Sequence, residues 1–594
     1  MKPRAPTVSH AHGAPALLFL ASLASAAQEA ARLPEHAYFG DLHVHTGYSL
    51  DAAGMTLATP DDAYRHAQGE AIARAGGGTL QLRQPLDFLA VTDHAEYLGL
   101  YLELQREGGK LHDRPLSEAL QSGDAQVRRR AFLDAVARIQ SGQLDDAEVE
   151  RSIWRSYCDA AARHDRPGTF TAFIGFEWSS MPGNWNLHRN VIFGGAKVPE
   201  RPFSALDSER PEDLWTYLEN ARRAGSEVLA IAHNGNLSGG RMFALSDSDG
   251  KAIDAAYAAR RRANEIAHEI VQVKGQSETH PSIALDDEFA GFESAAIQLG
   301  TRKELTGDEL AARFSYVREA YKNGLVLQGA LGANPFRFGL VAGSDSHVGA
   351  TLPEESAIPG VQGEGDGTPG ARTGYRGGSG GLTGIWAQEN TRASLFAALG
   401  RNETFGTSGV RLRPRFFGGW AFAPDLFERE GWLATAYAEG VPMGGDLGAP
   451  AGKAPTFAVA ALKDPAGANL DRIQIVKCWA AGGQAFERIH DVALAGGRRV
   501  DPATGRAPPV GNTVDLAKAT YTDTIGAAEL EALWTDPDFD PRAPACYYAR
   551  VLEIPTPRWS TIDAAAHGLA PRPDVEATIQ ERAWTSPIWY TPPR

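Results

Sequence analysis

The sequence predicts an α/β fold of parallel strands and helices, followed by a smaller β-rich domain. Between residues 37 and 342, short apolar segments alternate with helical ones, as they do in a parallel α/β sheet or barrel. After about Arg411 the segments become β-like and are separated by loops rich in Pro and Gly. With 594 residues, the chain is long enough for more than one domain. We therefore predict an α/β domain over 37–410 and a β-rich domain over 411–594.

Seven segments of the first domain are predicted strands, because they are short and rich in Val, Ile, Leu or Phe. They cover residues 37–43, 86–91, 169–176, 190–193, 227–232, 270–273 and 338–342. Polar residues stand at most of their carboxyl ends, namely Asp41, Thr92, Glu177, His233, Lys274 and Ser344. Because the carboxyl ends of strands are where loops converge into a site in α/β proteins, we expect the functional residues there.

Helices are predicted between these strands. They cover residues 60–75 and 308–323, and 116–163 reads as two long solvated helices. Residues 360–381 contain ten glycines in 22 positions and cannot form a regular element, so we interpret them either as a lid or as a surface insertion. In the second domain, the predicted strands include 456–462, 472–477 and 546–554.

The first 26 residues read as a secretory signal peptide. Lys2 and Arg4 precede an apolar run over 14–23, and the small-x-small sequence Ala-Ser-Ala follows at 24–26. A membrane anchor is the alternative, but this run is shorter than the about 20 residues that a spanning helix needs. We expect cleavage near Ala26 and a periplasmic or secreted protein without a stable membrane span. Export would permit a disulfide between Cys478 and Cys546.

Composition and charge exclude several classes of protein. The chain is 43% hydrophobic and 22% charged, which is typical of a globular protein and not of a disordered one. Its net charge of −15 argues against nucleic acid as a partner. Three cysteines are too few for a disulfide scaffold or a Cys-rich zinc module. An acidic protein that binds an anion must supply positive charge locally. The sequence does not predict an oligomeric state.

Histidines and carboxylates recur at the predicted strand ends. Of the 16 histidines, 12 lie between His36 and His347. His43 and His45 alternate at the end of the first strand and can present two imidazoles to one metal. The other members of the series follow in chain order as His94, Glu177, His188, His233, Asp345 and His347. Each residue has an ordinary structural explanation, but the whole series at strand ends predicts metal binding.

This ordered series resembles the PHP (polymerase and histidinol phosphatase) superfamily of metal-dependent phosphoesterases. Four strings look more narrowly like its bacterial branch catalogued as domain-of-unknown-function family 3604. They are Gly-Asp-Leu-His-Val-His-Thr at 40–46, Thr-Asp-His-Ala-Glu-Tyr at 92–97, His-Arg-Asn-Val-Ile-Phe at 188–193 and Lys-Gly-x-Ser-Glu at 274–278. The resemblance covers the chain from about Tyr38 to its end. It implies a distorted (β/α)7 PHP-type barrel with a centre of two or three metal ions.

The resemblance also implies which residues bind each metal. One ion would be held by His43, His45, Glu177 and Asp345. Glu177 would bridge it to a second ion, bound by His188 and His233. Asp51, His94 and His347 match the residues for a third ion, although Asp51 lies six residues after His45 where many members of the superfamily have five. Imidazole and carboxylate ligands without thiolate suit Mn, Fe or Zn.

Such a centre favours hydrolysis of a phosphate or sulfate ester in a small anionic molecule, with a metal-bridging hydroxide as nucleophile. We predict Arg189 as the clamp on the ester oxyanion, with Lys274 and Arg241 as the other cations. Arg189 could instead pair with a surface acid, and Lys274 with Glu278. Asn234 and Asn236 could donate to the ester oxygens, and His280 could protonate the leaving group or belong to an ordinary turn. Trp178 and Trp185 form either a wall for the leaving group or simple packing.

Two other functions remain as alternatives. The first is a metal-stabilised binding or scaffold protein whose β-rich domain engages a surface glycan or a protein partner. A structural metal is fully coordinated by protein, whereas a catalytic metal keeps an open position, so the geometry of the site separates this alternative from a hydrolase. The second is a nuclease, which the acidic charge disfavours.

Overall fold

The computed structural model describes residues 33–593, with gaps at 75–76, 145, 296, 299–300, 302, 306–312, 361–377, 450–451 and 574. The predicted signal peptide and most of the predicted glycine-rich loop lie outside the described residues. So does the start of the helix predicted over 308–323. The described part is a mixed α/β structure with one large sheet and a β-rich C-terminal region.

Seven strands of the first region lie side by side in the large sheet. They are β1 (His36–Val44), β2 (Phe88–Val91), β3 (Thr171–Trp178), β4 (Arg189–Phe193), β5 (Val228–Ala232), β6 (Glu265–Glu269) and β7 (Gly339–Val341). Their order in the sheet follows the sequence from β1 to β7. Neighbours are parallel except β4, which is antiparallel to both β3 and β5. Six carboxyl ends and the amino end of β4 therefore lie at one edge.

The segment after β7 returns to β1. Asp345 N donates to His43 O at 2.8 Å, and His45 N donates to Ser346 O at 2.8 Å. Alternate residues of the strands pack together on one side of the sheet in a buried apolar cluster, which includes Leu42, Ala90, Phe173, Ile192, Ile231, Ala267 and Val341. The residues between them, such as Val91 and Val191, pack with the helices on the other side. Both faces of these strands are thus buried, which is why most of their sequences, though not that of β6, are largely apolar.

The helices have the following bounds. They are α1 (Pro60–Ala67), α2 (Leu100–Gln105), α3 (Arg114–Leu120), α4 (Ala125–Gln140), α5 (Ala147–His164), α6 (Pro211–Arg223), α7 (Ala255–Asn264), α8 (Val317–Leu331), α9 (Arg392–Gly400), α10 (Trp432–Glu439) and α11 (Trp559–Ala566). Side-chain caps fix several of their starts: Asp124 caps α4, and Asp146 caps α5. None of the helices in the described residues has the length and apolar character of a membrane span.

The structure corrects three predicted elements. The strand predicted at 270–273 is reduced to Val271–Gln272, which pairs with Gly275–Gln276 in a separate small sheet, whereas the strand of the large sheet is β6, five residues earlier. Its sequence Glu-Ile-Ala-His-Glu looks solvated, but both glutamates are buried in ion pairs. The helix predicted over 60–75 ends at Ala67, just before Gly69 with its positive φ of 93°. The helix predicted over 308–323 is α8, which begins at Val317.

The large sheet continues into the C-terminal region. Beyond β1 it runs through β8 (Leu382–Ala387), β9 (Thr404–Thr407), β16 (Arg582–Thr585), β15 (Ala545–Glu553), β12 (Leu470–Ala481) and β13 (Gln484–Leu494). A second, antiparallel sheet contains β10 (Arg413–Gly419), β11 (Thr456–Leu462) and β14 (Glu529–Thr535). The predicted C-terminal strands fall on β11, β12 and β15. The boundary at residue 410 stays a prediction, and hydrogen bonds between β9 and β16 cross it.

Candidate metal centre

Nine side chains converge at the edge of the sheet where the carboxyl ends of its parallel strands lie. They are the predicted ligands His43, His45, Asp51, His94, Glu177, His188, His233, Asp345 and His347. His188 precedes its strand, whereas the others lie near or after carboxyl ends, because β4 runs in the opposite direction. Most of the nine are almost fully buried; Asp51, with a side chain 53% exposed, marks the open side.

Four of these side chains form a compact first group. The Nε2 atoms of His43 and His45 are 3.2 Å apart, and each lies 3.1–3.4 Å from both Glu177 Oε2 and Asp345 Oδ1. A tetrahedral ion bound at about 2.0–2.2 Å requires ligand atoms about 3.3–3.6 Å apart. The two carboxylate oxygens are buried and accept no hydrogen bond from the described residues. Since such oxygens are costly to bury alone, this group fits a metal ion.

The second group shares Glu177 with the first. Its other oxygen, Oε1, lies 2.5 Å from His188 Nδ1 and 3.0 Å from His233 Nε2. Burial raises the pKa of the Glu177 carboxyl, but His94, His188 and His233 around it hold the pKa well below its usual value. An ionised carboxylate between two sets of imidazoles is suited to bridge two cations.

The third group lies at the open side. Asp51 Oδ2 is 3.2 Å from His94 Nε2 and 3.1 Å from His347 Nε2. The other ring nitrogen of each histidine contacts a protein group. His94 Nδ1 lies 2.5 Å from Ser179 Oγ, and His347 Nδ1 lies 2.9 Å from the carbonyl oxygen of Asp345. His347 Nδ1–H must donate to this carbonyl, so Nε2 of His347 keeps its lone pair for a cation, and His94 is equally placed when its Nδ1–H donates to Ser179. The six-residue spacing from His45 therefore does not keep Asp51 from this group.

A buried aspartate orients His45 through a serine. His45 Nδ1 lies 2.8 Å from Ser49 Oγ, which in turn donates to Asp93 Oδ1 at 2.7 Å. Asp93 also accepts from the backbone N–H of Thr46 and of Ser49. It therefore fixes both the turn after β1 and the direction of the His45 ring.

Glu269, which the sequence reasoning missed, supports His43 in the same way. Both of its oxygens lie 3.0–3.2 Å from His43 Nδ1, and both side chains are buried. Burial raises the pKa of Glu269 to about 7, although His43 lowers it. A Cβ on Gly343 would lie 2.5 Å from Glu269 Oε2, so this glycine allows the close approach. The sequence signal for Glu269 was its position as an acidic residue at the carboxyl end of a strand. This signal was missed because the strand was predicted at 270–273, after Glu269.

Two of the site residues have backbone φ angles in the left-handed region. These are Asn234 (φ 53°) and Asp345 (φ 52°), which follow β5 and β7. Asn and Asp tolerate this region best among residues with a Cβ. Gln272 links the two, since its Nε2 donates to Asn234 Oδ1 and, at 2.6 Å, to Asp345 Oδ2. Asn234 is therefore connected to Asp345 by way of Gln272. Nothing in the sequence indicated Gln272.

Lys274 is the predicted cation that the structure brings to the centre. Its Nζ contacts Asp345 Oδ2, the oxygen that faces away from the two histidines, and its side chain is 22% exposed. Burial raises the pKa of the Asp345 carboxyl, but Lys274 and His43 hold it well below its usual value. The predicted alternative, a pair between Lys274 and Glu278, is not what the structure shows.

Two predicted roles do not fit the structure. Arg189 is buried on the face of β4 opposite to its neighbour His188, where its Nε donates to Glu265 at 2.9 Å and its Nη1 to the carbonyl of Leu187. Its guanidinium is thus engaged with Glu265 and Leu187 and not with the candidate ligands. His280 contacts Ser282 at 2.6 Å and packs near Tyr316, without a contact to any ligand residue.

The remaining candidates fall into two places. Asn236 lies beside the centre, where its Nδ2 donates to the carbonyl of Lys274 at 3.1 Å. Trp178 is fully buried and packs against Arg189, which supports the packing interpretation. Trp185 lies under the guanidinium of Arg241, 5.7 Å from ring centroid to Cζ.

Comparison with known proteins gives one family and one solved structure. A crystal structure of a two-domain protein containing a predicted PHP-like metal-dependent phosphoesterase, from Bacteroides vulgatus ATCC 8482, shares 11% identity with this chain. The match covers 92% of this chain and 96% of that one, with a TM-score of 0.30. No curated protein matches the chain. Residues 32–592 match the model of the family described as protein of unknown function (DUF3604), and since this match spans nearly the whole chain, the protein belongs to that family.

Proposed function

We propose that the protein is a metal-dependent hydrolase of phosphate or sulfate esters. The observation that carries this proposal is the sharing of Glu177 between two groups of buried histidines, with Glu177 Oε2 and Asp345 Oδ1 left without hydrogen-bond donors among the described residues. The order of the ligands along the chain is the one that the resemblance to the PHP superfamily implies. When bound, divalent ions such as Mn, Zn or Fe would polarise an ester oxygen and lower the pKa of an attacking water.

The protein's own residues divide the remaining tasks. Glu177 holds the first two groups together, and Glu269 and Asp93 keep the imidazoles of His43 and His45 turned toward the centre. Lys274, partly exposed beside Asp345, offers a cation to an ester oxyanion. The open side at Asp51 and His94 provides access for a small anionic molecule. A purely structural metal site needs no such opening, which favours hydrolysis over the scaffold alternative.

A distorted (β/α)7 barrel is the architecture we propose for the first region. Seven strands follow one another in order, and the segment after β7 forms a parallel bridge with β1 between Val44 and Ser346. Their inward residues fill the interior with apolar side chains, as barrel cores are filled. In this architecture the nine ligand residues stand at one mouth of the barrel.

The test combines metal analysis with a substrate panel. The purified full chain should hold two or three equivalents of metal, and hydrolyse at least one class among aryl phosphate monoesters, phosphate diesters and aryl sulfates after Mn, Zn or Fe is added. Lys274→Gln should keep its metal and lose most of the activity. A fully loaded protein that hydrolyses none of these esters would contradict the proposal and favour a scaffold.

We also propose that the protein is exported, because the sequence over 1–26 has the three parts of a signal peptide. Amino-terminal sequencing of the periplasmic or secreted fraction should read from near Ala27. A protein that retains Met1 in that fraction would contradict the cleavage.

A further inference from the structure

The segment Lys274–Glu278 joins the candidate centre to the C-terminal region. Its sequence is Lys-Gly-Gln-Ser-Glu, and the proposed function uses only the first residue. Lys274 contacts the ligand Asp345, whereas the Glu278 side chain is buried four residues later against strands of the C-terminal region. The segment therefore connects the centre directly to those strands.

The carboxylate of Glu278 receives its donors from three elements. Tyr548 on β15 donates to it at 2.6 Å, and Trp584 Nε1 on β16 donates at 2.7 Å. Arg550 on β15 lies 3.1 Å away, and Arg318 on α8 lies 2.5 Å away. Burial raises the pKa of Glu278, but Arg550 and Arg318 hold it at about 2. Glu278 thus stays ionised and firmly bound at neutral pH.

The backbone between Lys274 and Glu278 has little freedom. Ser277 N donates to the carbonyl of Ile270 at 2.7 Å, and Ser277 Oγ donates to Asn236 Oδ1 at 3.0 Å. Gly275 has a φ of 96°, and a Cβ there would lie 2.4 Å from the carbonyl of Glu293. The segment therefore holds Lys274 in a fixed position relative to Glu278.

We propose that the C-terminal β-rich region positions Lys274 at the centre by binding Glu278, with Tyr548 and Trp584 as positioning residues. The proposal rests on the function proposed above in so far as Lys274 is taken to bind an ester oxyanion. It gives the C-terminal region a role in the site although none of its residues is among the nine ligands.

The chain offers a matched pair of tyrosines for a test. Tyr548 donates to Glu278, whereas its neighbour Tyr547 faces the other side of β15 and donates to Asp536 at 2.7 Å. Both side chains are buried, so Tyr→Phe removes one hydrogen bond from a buried carboxylate in each case. Only Tyr548→Phe loosens the segment. Trp584→Phe, which removes a second donor from Glu278, provides an independent variant.

The first measurement is the affinity of the manganese-loaded full chain for inorganic phosphate by calorimetry. We expect Tyr548→Phe and Trp584→Phe to weaken phosphate binding by about tenfold and Tyr547→Phe to leave it unchanged. In a Lys274→Gln background the effect of Tyr548→Phe should disappear, because it acts through Lys274. An equal loss in both backgrounds would mean a merely structural role and would overturn the proposal.

The second measurement needs neither metal nor substrate. Amide hydrogen exchange over 272–278 should be faster in Tyr548→Phe than in Tyr547→Phe, while the rest of the chain exchanges alike in the two variants. Equal exchange over this segment would overturn the proposal. If the wild-type chain binds no phosphate, the proposed function fails, and hydrogen exchange still decides whether the C-terminal region holds the segment.

Discussion

Two buried clusters of ionisable groups among the described residues are built differently. In the metal-ligand cluster, the nine residues named above, histidines and carboxylates face one another and leave oxygens without donors among the described residues. In the Glu278 cluster, defined by Glu278, Asp287, Arg318 and Arg550, arginines meet the carboxylates directly. Arg550 lies 2.8 Å from Asp287 and 3.1 Å from Glu278, and Arg318 lies 2.9 Å and 2.5 Å from the same two carboxylates.

This difference indicates which cluster needs a ligand. Buried charges are tolerated when they are paired with hydrogen-bonded partners or when they coordinate metal. In the Glu278 cluster, arginine, tyrosine and tryptophan side chains donate hydrogen bonds to the buried carboxylates. The metal-ligand cluster has few donors other than imidazoles, and the ring nitrogens that face its centre are those suited to bind a cation. Charge alone does not distinguish the two; the chemical type of the cationic partner does.

The largest expected effect comes from removing a ligand. His45→Ala should abolish binding of at least one metal ion and lower activity by more than about 100-fold, because it removes a direct contact to the ion. His490→Ala is the control, since His490 packs against Trp534 far along the chain. Metal content by mass spectrometry and hydrolysis rates decide the matter. Equal losses in the two variants would place the centre elsewhere.

Glu269→Gln should have the next largest effect, because it weakens the support of a ligand without removing the ligand. We expect metal affinity, measured by competition with a chelator, to fall by about 10–100-fold. Glu265→Gln is a matched control on the same strand, where Glu265 binds Arg189 and Arg261 and no ligand. If the two variants bind metal equally well, Glu269 has no part in the centre.

The stability contributed by the Glu278 cluster can be tested by changing the pH, whereas the metal-ligand cluster is tested with chelators. The folded-state pKa of Glu278 is about 2, below its ordinary value near 4.5. A depressed pKa stabilises the folded state above the unfolded value, and this stabilisation is lost as pH falls toward 2. Glu278→Gln should therefore lower Tm at pH 7, and the difference from wild type should shrink between pH 4.5 and 2. A Tm difference between variant and wild type that stays constant down to pH 2.5 would show that Glu278 does not stabilise the fold as an ionised carboxylate.

The smallest effect on the centre is expected for Arg189→Ala. Because its guanidinium binds Glu265 on the far face of β4, the variant should lose stability, seen as a lower Tm. Its metal content should not change, and its kcat/KM at a temperature where it is folded should stay within about twofold of wild type. A tenfold or larger loss of kcat/KM with full metal content would return Arg189 to the role of clamp.

The sequence pointed to the candidate ligands, which the structure brings together, but not to the residues that support them. His43, His45 and Glu177 stand at strand ends and are of types that bind metals, so position and chemistry point to them without knowledge of the fold. Glu269 acts through His43, 226 residues away in sequence, and only the pairing of strands brings the two together. Arg189 was predicted as a clamp because its neighbour His188 lies at the centre, whereas the structure pairs Arg189 with Glu265. Adjacent residues of a strand face opposite sides, and the strand there was predicted to begin one residue later, at 190.

The place of β1 within the large sheet has a consequence for how the chain acquires its structure during synthesis. β1 emerges first, yet it is hydrogen-bonded on one side to β2 and on the other to β8, at Leu382–Ala387. Until the ribosome has produced β8, a nascent chain leaves one edge of its first strand unpaired, which is a template for aggregation. The hydrogen-bond donors of Glu278, Tyr548 and Trp584, are synthesised later still. Folding of this protein is therefore expected to be slow and to be completed only after β8 and the C-terminal strands have been synthesised.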